Sequence, residues 1–276
     1  MTTLPSERDI EPGPAGGERR ERTRPPRHRA ADLLFRIFRF AFRLFGSFYA
    51  AMGLVALAGA LVAVIGAFAF AEIAGNVQEG ATQRFDERVL VWLAEHRSPL
   101  LDRAQLELTA LGTGFVVMTV VGVAALFLWL THHRFSAGLL LLATAGGLVL
   151  NNVLKLGFDR PRPSIVPALG DPLSSSFPSG HAMSAAIVYG TVAYLAGRLQ
   201  KSLLARLLTA LVATLVIGGI ALTRLYLGVH YPSDVLAGIV VGLAWAAFCM
   251  VLLEMMQRLA KRRAPEMLEH EHPPEE

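Results

Sequence analysis

Apolar residues in this 276-residue chain gather into long runs, at about 48–71, 112–131, 137–155, 182–197, 205–222 and 235–256. A helix needs about 20 consecutive apolar residues to cross a bilayer core, and these runs reach or approach that length. Two-residue alternation is absent, which excludes a β-barrel. The pattern predicts an all-α fold: an integral membrane six-helix bundle over 48–256. The first run lies too deep in the chain and is too long for a cleaved signal peptide.

Between and beside the runs the pattern changes. Residues 1–30 are rich in Pro, Gly, Glu and Arg and have little to bury, so they read as a disordered basic tail. In 31–46, Arg36, Arg39 and Arg43 recur at three and four residues among Phe and Leu. That spacing puts them on one helical face and suits an amphipathic helix in the headgroup layer; the alternative is an inward extension of the first spanning helix. A second amphipathic stretch, RFDERVLVWLAEH, lies in the first loop at about 75–110. Phe85, Val89, Trp92 and Leu93 can share a face there, with Trp92 as interfacial anchor, and no chemistry is assigned to Asp86 or Glu87. Residues 257–276 read as a charged, solvated tail, in which His270 and His272 organise no metal site.

Composition agrees: 53% of residues are hydrophobic and only 17% charged, against about 25% in soluble domains. Cys249, the only cysteine, has no partner for a disulfide or a zinc site. The formal net charge is +4, but ten arginines fall within residues 1–47. Such a segment could bind nucleic acid or an anionic membrane; the apolar runs that follow select the membrane as partner. With the N-terminus inside, the inner segments hold those ten arginines plus Arg134, Arg198, Lys201, Arg206, Arg258, Lys261, Arg262 and Arg263, 18 in all. The outer segments hold eight: Arg84, Arg88, Arg97, Arg103, Lys155, Arg160, Arg162 and Arg224. The positive-inside rule then predicts both termini in the cytoplasm and the loops after helices one, three and five outside.

Two of those outer loops concentrate the remaining polar residues, KLGFDRPRPSIVPALGDPLSSSFPSGH at 155–181 and TRLYLGVHYPSD at 223–234. Charges at membrane ends are costly and usually functional. Lys155, Arg160, Arg162 and Arg224 together make an anion site, with Arg offering a planar fork for phosphate oxygens. Ser179, Gly180 and His181 open the fourth helix, where backbone N–H groups cradle an anion. Asp234 follows His230 by four residues and can fix its tautomer, so that the other ring nitrogen attacks. His181 has no such neighbour and can give a proton to a leaving oxygen. Taken singly, a His at a helix end serves as a cap, and Arg224 or Lys155 snorkels. The combination is what points to chemistry.

Lys155 followed after six residues by Arg162-Pro163, then PSGH at 178–181, then Arg224-x5-His230-x3-Asp234 resembles the three-part signature of the type 2 phosphatidic acid phosphatase superfamily. The resemblance extends over the six-helix layout of about 48–256, and Thr223 stands where the third part usually has Ser. It implies His230 as a nucleophile that becomes a phosphohistidine, Asp234 as its orienting group and His181 as the proton donor. It implies phosphate binding by Lys155, Arg162 and Arg224, helped by Ser179 and Gly180. Of the two Arg-Pro pairs the usual spacing selects Arg162, leaving Arg160 as a supporting or headgroup contact. The substrate implied is a lipid phosphate or diphosphate, of undecaprenyl diphosphate or phosphatidic acid type, met on the extracytoplasmic side of the inner (plasma) membrane. No carboxylate cluster has metal-ligand spacing, so neither metal nor cofactor is expected. The alternatives are a lipid phosphotransferase, which the motif does not separate from a hydrolase, and a non-catalytic transporter or lipid-binding protein, which would need the cations but not His181, His230 and Asp234. Six spans argue against a haloperoxidase, which shares the anion site.

Overall fold

The computed structural model describes residues 57–170 and 174–271, with side chains as far as Gln257. The basic tail 1–30, the amphipathic segment 31–46 and the start of the first apolar run lie outside the described residues. The elements are α1 (Leu57–Gln78), α2 (Gln83–Glu95), α3 (Pro99–Thr109), a 3₁₀ turn (Ala110–Gly112), α4 (Gly114–Leu130), α5 (Arg134–Phe158), α6 (Gly180–Leu199), α7 (Leu203–Tyr226) and α8 (Pro232–Glu271). No strand occurs among the described residues.

Five helices, α1, α5, α6, α7 and α8, are long and apolar enough to cross a bilayer. Pro99–Gly112 and Gly114–Leu130, bent by 47° at the break, meet the same test only as a pair and count as a sixth span if the pair crosses as one. The sequence pattern predicts loop as far as 110, yet Pro99–Thr109 is helical. Its start carries ordinary helix signals: Ser98 caps it, accepting from the Leu101 amide at 3.4 Å, and Pro99 occupies the first turn. The bend falls at the run Gly112-Thr113-Gly114. At the other end of the chain, α8 continues to Glu271, into the segment read as a charged, solvated tail. Good helix formers such as Met, Leu and Glu extend it.

The core is centred on α6 and α8, of whose apolar windows 44% and 50% are buried, against 6% for both α1 and α7. Large apolar side chains on the outer helices face outward, Phe68 at 75% exposure and Phe115 at 83%. In water that surface would be untenable; against lipid it is the expected face. The backbones of α6 and α8 meet closely because Gly238 and Gly242 fall four apart on one face. A Cβ at Gly238 would lie 2.6 Å from the Ser179 carbonyl oxygen, and one at Gly242 would lie 2.8 Å from that of Met183. Small residues at this spacing let membrane helices pack at backbone distance. The consequence is local: the first turns of α6 and α8 sit side by side, and the Ser179 amide donates to the Asp234 carbonyl oxygen at 3.0 Å.

The long segment between α5 and α6 is held down by aromatic packing. Phe177 is fully buried, with its ring 4.9 Å from that of Phe158 and 5.8 Å from that of Phe70. Such pairs contribute about 0.5–1.5 kcal/mol each beyond area burial. The turn after α7 is equally constrained. Gly228 adopts φ +70°, and a Cβ there would lie 2.9 Å from an Arg97 nitrogen. Arg97 binds the Tyr226 carbonyl through Nε and Nη2 and the Pro167 carbonyl through Nη1 at 2.7 Å.

Candidate active site

All the polar residues singled out in the two loops lie at one end of the bundle, because α5 and α7 end where α6 and α8 begin. Lys155 is on the last turn of α5, Arg224 on the last turn of α7, and Asp234 on the first turn of α8. A cleft of about 470 Å³ opens there, lined among others by Lys155, Arg162, Gly180, His181, Arg224 and His230. Ser179 and Asp234 are fully buried behind its wall. Residues as far apart in sequence as Lys155 and His230 thus supply one concave, cationic surface.

Each cation is aimed by its neighbours. The Lys155 ammonium donates to the Ser175 carbonyl at 2.6 Å and to Ser174 Oγ at 3.1 Å, which leaves a third proton for the cleft. Arg162 donates to the carbonyls of Ser174 at 2.7 Å and Val229 at 2.6 Å. Burial pulls its guanidinium below the ordinary arginine range, with Asp234 opposing; it nevertheless stays a cation at neutral pH. Arg224 donates from Nη1 to Thr109 at 2.8 Å, while its buried Nε meets no partner among the described residues. Buried Ser179 Oγ and Asn151 Oδ1 are likewise without partners among the described residues. Three unpaired polar atoms around one cleft fit a site completed by a polar ligand.

The His230 ring is almost wholly buried. Its Nδ1 stands 3.5 Å from Asp234 Oδ2 and 3.4 Å from Ser176 Oγ, and its Nε2 stands 3.2 Å from Arg162 Nη1. An acceptor on one side and a cationic donor on the other select the tautomer with the proton on Nδ1, leaving the Nε2 lone pair toward the cleft. Burial is the largest influence on this imidazole and lowers it to about 4; Asp234 opposes the shift, and Arg162 and Arg224 add to it. The ring is therefore neutral at ordinary pH, the form that keeps an unprotonated Nε2. Asp234 in turn is pinned at both oxygens. Oδ2 accepts from the Tyr231 amide at 2.9 Å and, in a short bond, from Ser176 Oγ; Oδ1 accepts from Arg160 at 2.6 Å. His181, one residue into α6, packs against the 3₁₀ turn, where a Cβ on Gly112 would lie 3.0 Å from its ring.

Arg160 sits elsewhere. It is not part of the cleft lining but is held between Asp86 and Asp234, with its guanidinium 4.2 Å from the centre of the Tyr231 ring. Of the two readings of Arg160, a supporting or a headgroup contact, this placement fits the supporting one: Asp86, Asp234, Gln83 and Ser233 take up its Nη donors. Three residues escaped the sequence reading. Asn151 lies one helical turn before Lys155, on the same face of α5, and its amide would stand 3.2 Å from a Cβ on Gly180. Its four-residue spacing from Lys155 in an apolar run was a usable signal. Ser176 was hidden in a run of three serines, and Asp86 resembled any carboxylate of a surface helix. Among the described residues no group of three or more His, Cys, Asp or Glu converges as a metal-ligand set.

Cations, helix N-terminal amides and two imidazoles around one cleft can hold a tetrahedral oxyanion, offer it a nucleophile and protonate what leaves. Comparisons with known proteins give the family. The profile of the PAP2 superfamily matches residues 136–258. Phosphatidylglycerophosphatase B of Bacillus subtilis is 30% identical over 175 residues, covering 63% of this chain and 86% of that protein. A lipid A 1-phosphatase of Rhizobium johnstonii is 29% identical over 127 residues, covering 43% of this chain and 48% of that one. The crystal structure of a transmembrane PAP2-type phosphatidylglycerolphosphate phosphatase from Bacillus subtilis superposes with a TM-score of 0.65 at 28% identity, covering 68% of this chain and 94% of that one. On its matched profile, its relatives and its fold, this chain is a multi-span membrane protein that belongs to the PAP2 superfamily.

Proposed function

We propose that the protein is a metal-independent lipid phosphatase that removes a terminal phosphoryl group from a membrane lipid through a phosphohistidine at His230. The observation that carries the reading is His230, its Nε2 3.2 Å from Arg162 Nη1, in a cleft shared with Lys155, Arg162, Arg224 and His181. In the first step Nε2 attacks phosphorus and the bond to the lipid oxygen breaks. His181 gives that oxygen its proton, and the lipid alcohol leaves. In the second step water attacks the phosphohistidine, His181 takes a proton from it, and inorganic phosphate departs. Asp234 and Ser176 hold the Nδ1 side of His230 while positive charge develops on the ring. The three cations and the amides of Gly180 and His181 stabilise the equatorial oxygens, the work a metal does in other phosphoryl-transfer enzymes.

The substrate class follows from place and charge. The cleft lies at helix ends, where a lipid presents its headgroup. Three cations suit the two charges of a phosphate monoester, and the relatives named above are phosphatases of phosphatidylglycerophosphate and lipid A. With Arg160 engaged elsewhere, the case for a diphosphate such as undecaprenyl diphosphate loses its extra cation, and a glycerolipid phosphate monoester is the preferred substrate. The 18-to-8 basic asymmetry supports an active site on the outer face of the cytoplasmic membrane. The test is phosphate release by the purified protein in detergent from phosphatidylglycerophosphate, phosphatidic acid and undecaprenyl diphosphate, each with excess EDTA. The expected result is turnover that survives EDTA, is blocked by vanadate, and falls by at least about 100-fold in both His230→Ala and His181→Ala. Activity abolished by EDTA and restored by Mg²⁺, or near-normal rates in either variant, would overturn it.

A further inference from the structure

We propose that Asp86, on α2 and outside the part of the chain matched by the superfamily profile, is a positioning residue for the His230–Asp234 pair, acting through Arg160. The inference rests on the reading of His230 and Asp234 as the reacting pair.

The connection is continuous and buried. Asp86 and Asp234 are both fully buried, and the Arg160 side chain between them is 10% exposed. Arg160 Nη2 donates to Asp86 Oδ2 at 3.0 Å, and Nη1 donates to Asp234 Oδ1 at 2.6 Å. Asp86 also reaches the start of α8 directly. Its Oδ1 accepts from the Ser233 amide at 3.0 Å, and its Oδ2 accepts from Ser233 Oγ at 2.5 Å. Ser233 Oγ accepts in turn from Arg160 Nη1 at 2.8 Å. Gln83, one turn earlier on α2, takes a further Arg160 proton at 3.1 Å. A segment of α2 thereby fixes both the residue before Asp234 and the cation against Asp234.

Electrostatics explain why a second carboxylate is needed there. Asp234 must stay anionic to support positive charge on His230, yet an isolated buried carboxylate is costly. Arg160 alone would offset that cost while drawing off the carboxylate's charge. Asp86 shares the guanidinium, so its attraction is divided between two anions placed on different nitrogens. Asp234 is then held at Oδ1 without being fully neutralised, and Oδ2 stays directed to the Nδ1 side of His230. The arrangement also fixes carboxylate rotation, because each oxygen has its own donors, Arg160 on Oδ1 and Ser176 and the Tyr231 amide on Oδ2. Neither Asp86 nor Arg160 belongs to the cleft lining, so the pair acts on the nucleophile and leaves substrate binding alone.

The experiment compares Asp86→Asn, Arg160→Lys and the double variant with the wild-type protein, alongside His230→Ala, on phosphatidylglycerophosphate in detergent. Asp86→Asn keeps the shape and the acceptor for the Ser233 amide but removes the charge; Arg160→Lys keeps the charge but cannot bridge. Each single variant is expected to lower kcat by about 10–100-fold, the scale on which a residue behind a reacting histidine acts. KM should stay within about twofold, and the double variant should be no slower than the worse single one, since both break one link. If Asp86→Asn does not fold, Arg160→Lys alone carries the kcat-against-KM comparison. An unchanged kcat, a rise in KM at constant kcat, or multiplicative losses in the double variant would overturn the proposal. If His230→Ala keeps turnover, the reaction reading itself has failed; if His230→Ala is dead while Asp86→Asn and Arg160→Lys are normal, only this inference has.

Discussion

At the residue scale the account turns on how much of a buried histidine is set by its surroundings. His230 is held near 4 by burial, against an ordinary value of about 6.5. The folded protein therefore binds fewer protons than the unfolded chain between those two values. By linkage, stability contributed at this site is intact above about pH 6.5 and is lost as pH falls toward 4. The expected outcome is a thermal midpoint, measured in detergent, that drops more steeply from pH 6.5 to 4.5 in the wild-type protein than in His230→Asn; parallel curves would contradict the burial argument. The same residue shows what could be read without a structure. His230 and Asp234, the PSGH stretch, and Lys155 with Arg162 are short-range patterns at helix ends, and their residue types carry their chemistry. Asp86 is different. Its ionic partner Arg160 is 74 residues away, and an aspartate on an amphipathic helix looks the same in sequence whether its face is wet or buried. Arg160 was legible as a cation but not as one already paired.

At the scale of elements, the contact between α6 and α8 positions the chemistry. It brings Ser179–His181 beside His230–Asp234, and it exists because Gly238 and Gly242 present no side chain to the α6 backbone. Leucine at Gly238 would place its Cβ against the carbonyl of Ser179 and push apart the first turns of both helices. Gly238→Leu is predicted to lose at least about 100-fold in phosphate release, because displacements near 1 Å suffice for such losses. Leucine at Gly122 on α4, where nothing lies within 4 Å of the added Cβ, should leave activity within about twofold. Equal activity in the two variants would show that helix approach does not set the site. The existence and type of the long helices were legible from apolar run length alone. The break between α3 and α4 was not, because the predicted loop 75–110 is polar enough to mask the short helix Pro99–Thr109.

For the whole molecule, the distribution of charge and the arrangement of helices make a joint claim about sidedness. The cleft and the start of α2 lie at one end of the bundle, where Asp86 meets Arg160 and Ser233, and an inner N-terminus with alternate crossings puts that end outside. Cysteine at Glu79, exposed between α1 and α2, should be modified by an impermeant maleimide added to intact cells, whereas cysteine at Lys201, exposed between α6 and α7, should react only after permeabilisation. Native Cys249 is buried and stays silent. The reverse labelling would invert the topology and remove the outer-face assignment. Six runs and two polar loops made this architecture legible at the start. What joins the loops into one site was not, since it depends on helix ends meeting across 70 or more residues. The central claim, that a membrane lipid loses its phosphate to His230, is tested most directly by trapping the enzyme during turnover. Wild-type protein quenched in base with lipid labelled at the phosphate is expected to carry an acid-labile, base-stable phosphoryl group on the peptide containing His230, absent from His230→Ala. Steady turnover with no such label, or with the label on a serine or an aspartate, would contradict the account.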